Sequence, residues 1–460
     1  MNTTAAKKIF LFFLLDIVFT IPQISTATEI HIQKGDIEYE GSFRAPDVAT
    51  YLTYATGIIA FNDKNNSLFM VGSPSRPTST ENNYVAEIKI PDNIAKSSNI
   101  ADLPRATIIQ NFADITEGNR LNILTDISLQ VSTGALGARI GGLLVNGDNL
   151  IGTVYAVYDA SSSATRSHFT TSTNLSLTGD FKGNFFVGEK PSVVPQAGYI
   201  AGYMTNIPEE WRTQLGGDIL TGQSNISIVS RTSYGPSAFA ATAKDILIHT
   251  DTNATINNIY PLVYYAPGYH TLGEWDPTVP SNENISISDN ISGVIFPNGR
   301  NTILFIGDHG AQNCYGLGTS NPDEAGNIAG EPCEGGILTG DNKCCLDPFN
   351  ITIKGPHGYP KKAWIWAYKA EDFAAVKNKT KAPHQITPYA TWELAIPTQT
   401  WDGTDAAEIR IGGAAYDHVT NRIYVTQILI DGETSRRPIV HVYKINPAQS
   451  PTIKTIQPAL

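Results

Sequence analysis

Apolar runs in this chain are short, rich in Ile, Val, Leu and Tyr, and bounded by Gly, Asn, Asp or Pro. That is the pattern of β-strands separated by tight turns. One arrangement recurs: a small residue, an apolar strand, a polar Asn/Asp turn and a second apolar strand. It occupies 56–72, 140–155, 292–307 and 412–426. Several copies have a further strand of the same kind, as at Tyr84–Ile90, Ala363–Tyr368 and Val440–Ile445. A unit of three or four antiparallel strands cannot bury both its faces alone, and repeated units stack around a central channel. The pattern therefore predicts an all-β fold, a β-propeller. Roughly 430 mature residues at ~50–65 per blade give about seven four-stranded blades. Helix is expected only in short loop segments, Glu209–Leu215 ended by Gly216-Gly217, and Glu371–Lys377.

The first residues break the pattern. Lys7-Lys8 precede an apolar run from Ile9 to Leu15 that resumes after Asp16 and continues to Ile21, and Ser25-Thr26-Ala27 supply small residues for cleavage. This layout predicts a signal peptide over 1–27, leaving 28–460 as a single propeller domain with a Cys/His-containing loop insertion at 308–360. No later stretch approaches ~20 uninterrupted apolar residues, so no membrane contact is expected of the mature form, a secreted or periplasmic monomer. Sequons at Asn65, Asn174, Asn225, Asn253, Asn284, Asn290, Asn350 and Asn378 matter only if the host glycosylates secreted chains.

Composition narrows the partners. The chain has 39 Gly and 27 Pro against 3 Met, with only 16% charged residues, which suits a turn-rich β fold and not long helices. A net charge of −11 with no basic stripe argues against a nucleic-acid partner.

All four cysteines fall in the insertion, at Cys314, Cys333, Cys344 and Cys345, bracketed by His309 and His357. Two readings stand side by side. Two disulfides suit a secreted chain, and adjacent Cys344 and Cys345 would each bond elsewhere, to Cys314 and Cys333. Alternatively two thiolates and two imidazoles close a tetrahedral structural zinc site, with Cys314 and Cys345 on the metal and Cys333 paired to Cys344.

Loops at one mouth of a propeller channel are where function is expected. Three segments carry suitable side chains: 158–169 with His168, 230–237 with Arg231 and Tyr234, and 261–270 with Tyr264, Tyr265 and His270. Arginine can neutralise a uronate carboxylate and acidify its α-proton; His or Tyr can take that proton and protonate the leaving oxygen. Tyrosines such as Tyr234 and Tyr264 equally suit sugar stacking.

These segments, with Gly141–Val145, Tyr199–Met204, Cys314-Tyr-Gly316 and Gly412–Asp417, resemble a group of secreted, mostly uncharacterised bacterial proteins that is distantly similar to seven-bladed propeller ulvan lyases. The resemblance implies cleavage of an ulvan-like, uronic-acid-containing polysaccharide by β-elimination. It makes His168 an acid/base candidate and Arg231 the neutraliser, with Tyr265 and His270 as looser matches. It also implies a structural zinc on His309, Cys314, Cys345 and His357. Two features of that pattern are missing: a second histidine upstream, since 146–150 contain none, and a tyrosine shortly before Arg231. The rival expectation is a non-catalytic secreted propeller that binds carbohydrate or a protein partner.

Overall fold

A computed structural model describes residues 31–74, 82–118, 137–157, 159, 164–187, 197–224, 232–273, 284–311, 314–325, 343–349, 351, 354–397, 409–432 and 436–447. They belong to one compact unit spanning 30–449. The expected signal peptide lies outside the described residues.

Antiparallel sheets of four strands follow one another along the chain. The first holds β2 (Ile59–Asn62), β3 (Ser67–Val71), β4 (Val85–Lys89) and β5 (Thr107–Ala113). The second holds β6 (Arg139–Asn146), β7 (Asn149–Tyr155), β8 (Arg166–Ser172) and β9 (Lys182–Val187), with the short β13 (Thr255–Ile256) added in parallel at its edge. The third is β10 (Met204–Asn206), β11 (Ile219–Thr221), β12 (Ala238–Ala241) and β14 (Tyr260–Val263). The fourth is β15 (Asn290–Ile295), β16 (Thr302–Gly310), β20 (Lys361–Lys369) and β21 (Ala390–Glu393). In the fifth, β22 (Ile411–Asp417), β23 (Arg422–Asp431) and β24 (Arg437–Ile445) are completed by β1 (Ile37–Arg44) from the start of the chain. A small sheet of β17 (Cys314–Thr319), β18 (Lys343–Leu346) and β19 (Lys354–His357) forms the insertion between β16 and β20.

The first strands of the five sheets pack on one another in cyclic order: β2 on β6, β6 on β10, β10 on β15, β15 on β22, and β22 back on β2. The apolar core is divided accordingly. In β3, Phe69 faces a cluster with Ile140 and Leu150 of the second sheet, while Leu68 and Met70 face Tyr424 and Val442 of the fifth. In β16, Phe305 packs toward Leu262 of the third sheet, and Leu304 and Ile306 toward Val425 of the fifth. Alternate side chains of one strand thus enter two different interfaces, because successive residues point to opposite faces. Such strands read as continuous apolar runs, since neither face is left to water.

The small residue of the repeat has a steric cause. A Cβ on Gly141 would lie 2.0 Å from the Ala201 carbonyl oxygen, and one on Gly412 would lie 2.3 Å from that of Thr56. Backbones of neighbouring sheets touch at these points.

Five such sheets are found among the described residues, where length alone led to an expectation of about seven. The expectation was counted over the whole mature chain, whereas these five sheets are counted over the described residues alone. Both expected helices form, as Glu209–Leu215, closed by Gly216 at φ 84°, and Ala370–Lys377.

Candidate functional site

Each first strand runs in the same sense through the ring, so the ring has two ends. Strand starts and the loops after the second strands share one end, where a cavity of about 640 Å³ opens between Tyr54, Arg139, Tyr155, Gln223, Asn290 and Ser292. All five sheets or the loops that enter them contribute to it. At the opposite end a cavity of about 510 Å³ is lined by Asp63, Glu209, Glu210, Arg212 and His418 among others. Among the described residues the two differ in charge: the second has three carboxylates in its wall, whereas Arg139 is the one ionised side chain lining the first.

Arg139 opens β6 and lies opposite Tyr155, the last residue of β7. Desolvation pushes the Tyr155 phenol up, and the charge and hydrogen bonding of Arg139 pull it back down. No ion pair engages Arg139 among the described residues. Arg139 is half-buried, and a half-buried cation facing a cavity without a carboxylate among the described lining residues favours an anionic occupant. Tyr54, 52% exposed and held at φ 58°, adds an aromatic face at the rim.

The described parts of the three segments singled out from the sequence belong to or border the connections after β7, β11 and β14. Residues 156–165 join β7 to β8, 222–237 join β11 to β12, and Tyr264–His270 follow β14. Their described side chains do not gather at the cavity around Arg139. His168 is fully buried on β8; its Nδ1 is 2.8 Å from Ser167 Oγ and its Nε2 is 3.1 Å from Thr221 Oγ1 on the next sheet. Burial lowers its pKa to about 3, which keeps it neutral at working pH. It is not among the residues lining either cavity, so the acid/base role expected of it is corrected to a hydrogen-bonded link between sheets. Tyr265 is likewise enclosed, donating to the Ile386 carbonyl oxygen at 2.7 Å and lying 3.0 Å from the Tyr368 hydroxyl, and burial raises its pKa. A phenol held so is a core group and not a proton donor to substrate. Tyr264 stacks on Phe239 at 5.7 Å, and Tyr234, buried, has its ring 6.0 Å from that of exposed His270. Arg231 lies outside the described residues.

In the insertion, Cys314 and Cys345 are joined by a disulfide, with Cα atoms 5.8 Å apart. This corrects their placement as metal thiolates, because a sulfur in an S–S bond has no thiolate charge to offer a cation. Cys344 is also disulfide-bonded; Cys333, its expected partner, lies outside the described residues. The other two expected zinc ligands are each turned to a carboxylate. His309 Nδ1 is 2.8 Å from Asp289 Oδ2, and His357 Nδ1 is 2.8 Å from Asp347 Oδ2. Among the described residues no three His, Cys, Asp or Glu side chains are grouped to hold a metal ion. With Cys314 and Cys345 bonded to each other, the described residues do not bring His309, Cys314, Cys345 and His357 together as a ligand set.

Known proteins give only distant likenesses. No protein-family profile matches the chain, and no curated protein matches it. Among solved structures, a luciferin-regenerating enzyme aligns over 89% of this chain and 94% of its own, with a TM-score of 0.32 and 7% identity. The PQQ domain of a pyranose dehydrogenase from Coprinopsis cinerea covers 91% and 99%, with a TM-score of 0.34 and 10% identity. A glycosyl hydrolase from Bacteroides ovatus covers 93% and 94%, with a TM-score of 0.36 and 8% identity. At such low scores none of them bears on the site, and none of the three is described as a lyase.

The cavity residues were hidden in the sequence by their surroundings. Arg139 follows Gly137-Ala138 and resembles a turn residue. Its signal was its place immediately before the Ile140-Gly141-Gly142 copy of the repeat, since the start of every first strand faces the same end of the ring.

Proposed function

We propose that this chain is a five-bladed β-propeller, acting outside the cytoplasm, that binds a carboxylated polysaccharide at the cavity around Arg139. The observation that carries the reading is the single guanidinium among the described lining residues of a cavity fed by all five sheets. A uronate carboxylate supplies the missing counter-charge through paired N–H bonds, for which arginine's planar fork is suited. Tyr54 and Tyr155 offer aromatic surface to a sugar ring, and Gln223, Asn290 and Ser292 offer polar partners for its hydroxyls. The Cys314–Cys345 disulfide supports an oxidising compartment. Among the described residues no helix is long and apolar enough to cross a membrane.

A second reading is β-elimination at the same place, favoured by Tyr155 standing beside Arg139. Arg139 would neutralise the carboxylate, and Tyr155, whose pKa burial raises on balance, would have to ionise to take the proton α to it. The carbon–oxygen bond at the β-position would then break, leaving a double bond and a new chain end whose oxygen is reprotonated. One experiment separates the two readings. Oligomers of uronic acids and neutral oligosaccharides of equal length are titrated into the protein by calorimetry, and the same mixtures are followed for the ultraviolet absorbance of an unsaturated uronate. Binding without new absorbance supports the binding module, and new absorbance supports the lyase. Equal or absent binding of acidic and neutral oligomers defeats both.

A further inference from the structure

The fifth sheet carries a second concentration of positive charge at the same end of the ring. Arg44 ends β1, Asp431 ends β23 and Arg437 begins β24, and Arg105 approaches from the connection between β4 and β5. Asp431 is fully buried. Its Oδ1 accepts from Arg44 Nε at 3.1 Å and from an Arg44 terminal nitrogen at 2.7 Å, and its Oδ2 accepts from Arg105 at 3.2 Å. Arg437 lies 3.5 Å from Oδ2 through its Nε and also pairs with Asp47. Among the described residues three guanidiniums therefore share two carboxylates, and exposed Arg436 precedes Arg437 in the chain.

The surplus is physical and not only arithmetical. Arg437 is 7% exposed, and its Nε has no hydrogen-bond partner. Desolvation lowers the Arg105 pKa; Asp431 opposes that shift, and Arg44 and Arg437 add to it. Arg44 and Arg105 keep 18% and 25% of their side-chain surface in solvent, so the cluster is open to the outside at these two residues. In a chain of net charge −11, this is an unusual place to leave cations crowded.

We propose that the Arg44–Arg105–Arg437 cluster is a binding site for a tetrahedral oxyanion, a sulfate or phosphate group. Such an anion removes the repulsion among the guanidiniums and takes up their spare donors. The site is separate from the Arg139 cavity and does not depend on how that cavity is read.

Calorimetry at low ionic strength tests it with sodium sulfate and sodium phosphate, against sodium chloride at matched ionic strength. The wild-type chain is expected to bind sulfate, phosphate or both above the chloride control; sulfate alone identifies a sulfate ester as the natural group, and phosphate alone a phosphate ester. Arg105→Gln is expected to weaken binding about tenfold, the worth of one charge-assisted hydrogen bond. Asp47→Asn alters an exposed residue, removes a competing carboxylate, and is expected to tighten binding several-fold. Arg139→Gln is expected to leave it unchanged. No heat beyond chloride in the wild type overturns the proposal. So does an Asp47→Asn variant that binds no tighter, or a folded Arg105→Gln variant that binds as well as the wild type.

Discussion

Arg139 and Tyr155 stand directly opposite each other across the β6–β7 pair, at the end of the ring where the larger cavity opens. Their proximity bears on the phenol: burial raises its pKa, the neighbouring guanidinium offsets only part of that rise, and the net shift is upward. A cation and an ionisable hydroxyl are thereby held together on a strand pair, a rigid setting, with no carboxylate among the described lining residues to occupy the cation.

His168 holds two sheets together, so replacing it should affect stability and not ligand binding. His168→Leu is expected to cost about 1–3 kcal/mol, because Ser167 and Thr221 lose their buried partner. Denaturant unfolding gives the loss, and calorimetry with an oligouronate should show unchanged affinity. A folded variant that has lost affinity would place His168 in the site after all.

The fold is expected to weaken in acid. His168 and His441 are both fully buried, and desolvation lowers each pKa from 6.5 to about 3. A histidine with a depressed folded pKa binds its proton in the unfolded chain first, so stability falls as pH drops from about 6.5 toward 3. Within that window each histidine contributes a slope approaching ~1.4 kcal/mol per pH unit. Glu87 acts in the same direction. Burial alone would raise its pKa, but hydrogen bonds from Ser67, Asn65, Gln110 and Asn62 outweigh it and the net shift is downward. Its contribution is present above the ordinary carboxylate range and is lost as pH falls below it. Melting temperatures at pH 7, 5.5 and 4.5, about three points across the window, should decline steadily; a flat profile contradicts the burial of these groups.

Contact between neighbouring sheets is sterically exact at the glycines. Gly141→Ala brings a methyl group 2.0 Å from the Ala201 carbonyl oxygen. It is expected to cost about 1–3 kcal/mol through backbone displacement, whereas Gly147→Ala, whose added Cβ meets nothing within 4 Å but sits at φ 63°, tests the strain of the turn alone. Thermal unfolding of the two variants separates ring contact from turn strain.

The insertion is held by covalent bonds between cysteines. Thiol titration of the denatured, unreduced protein should find no free thiol, as none of the described cysteines is free. Opening Cys314–Cys345, with a sequence separation of 31, is expected to cost up to about 3–4 kcal/mol by the loop-entropy relation. Chelation should change neither result. Release of zinc together with two thiols would instead restore Cys314 and Cys345 to metal ligation.

Much of this architecture is written locally. The Asn-Asp turns, the small residues at sheet contacts and the apolar strands between them repeat along the chain, and the structure uses them as strands and contacts. The small sheet inside 311–360 was not legible, because its strands carry Gly, Lys and Cys and lack the apolar runs of the repeat. Nor was the burial of His168 and Tyr265. A histidine on a β-strand next to a serine reads the same whether it faces a channel or another sheet, and only the neighbouring sheet's Thr221 decides. Cysteine spacing likewise permitted a metal or a bridge, and the fold of the insertion, with Cys345 bonded to Cys314, decides between them for this pair.

Calorimetric affinity for an oligouronate, compared between the wild-type chain and Arg139→Gln, tests the central claim most directly. Loss of one charge-assisted, paired hydrogen bond to a carboxylate predicts a fall of about 10- to 100-fold, with the neutral oligosaccharide unaffected and the melting temperature retained. An Arg139→Gln protein that stays folded and binds the oligouronate as tightly as the wild type would contradict the account.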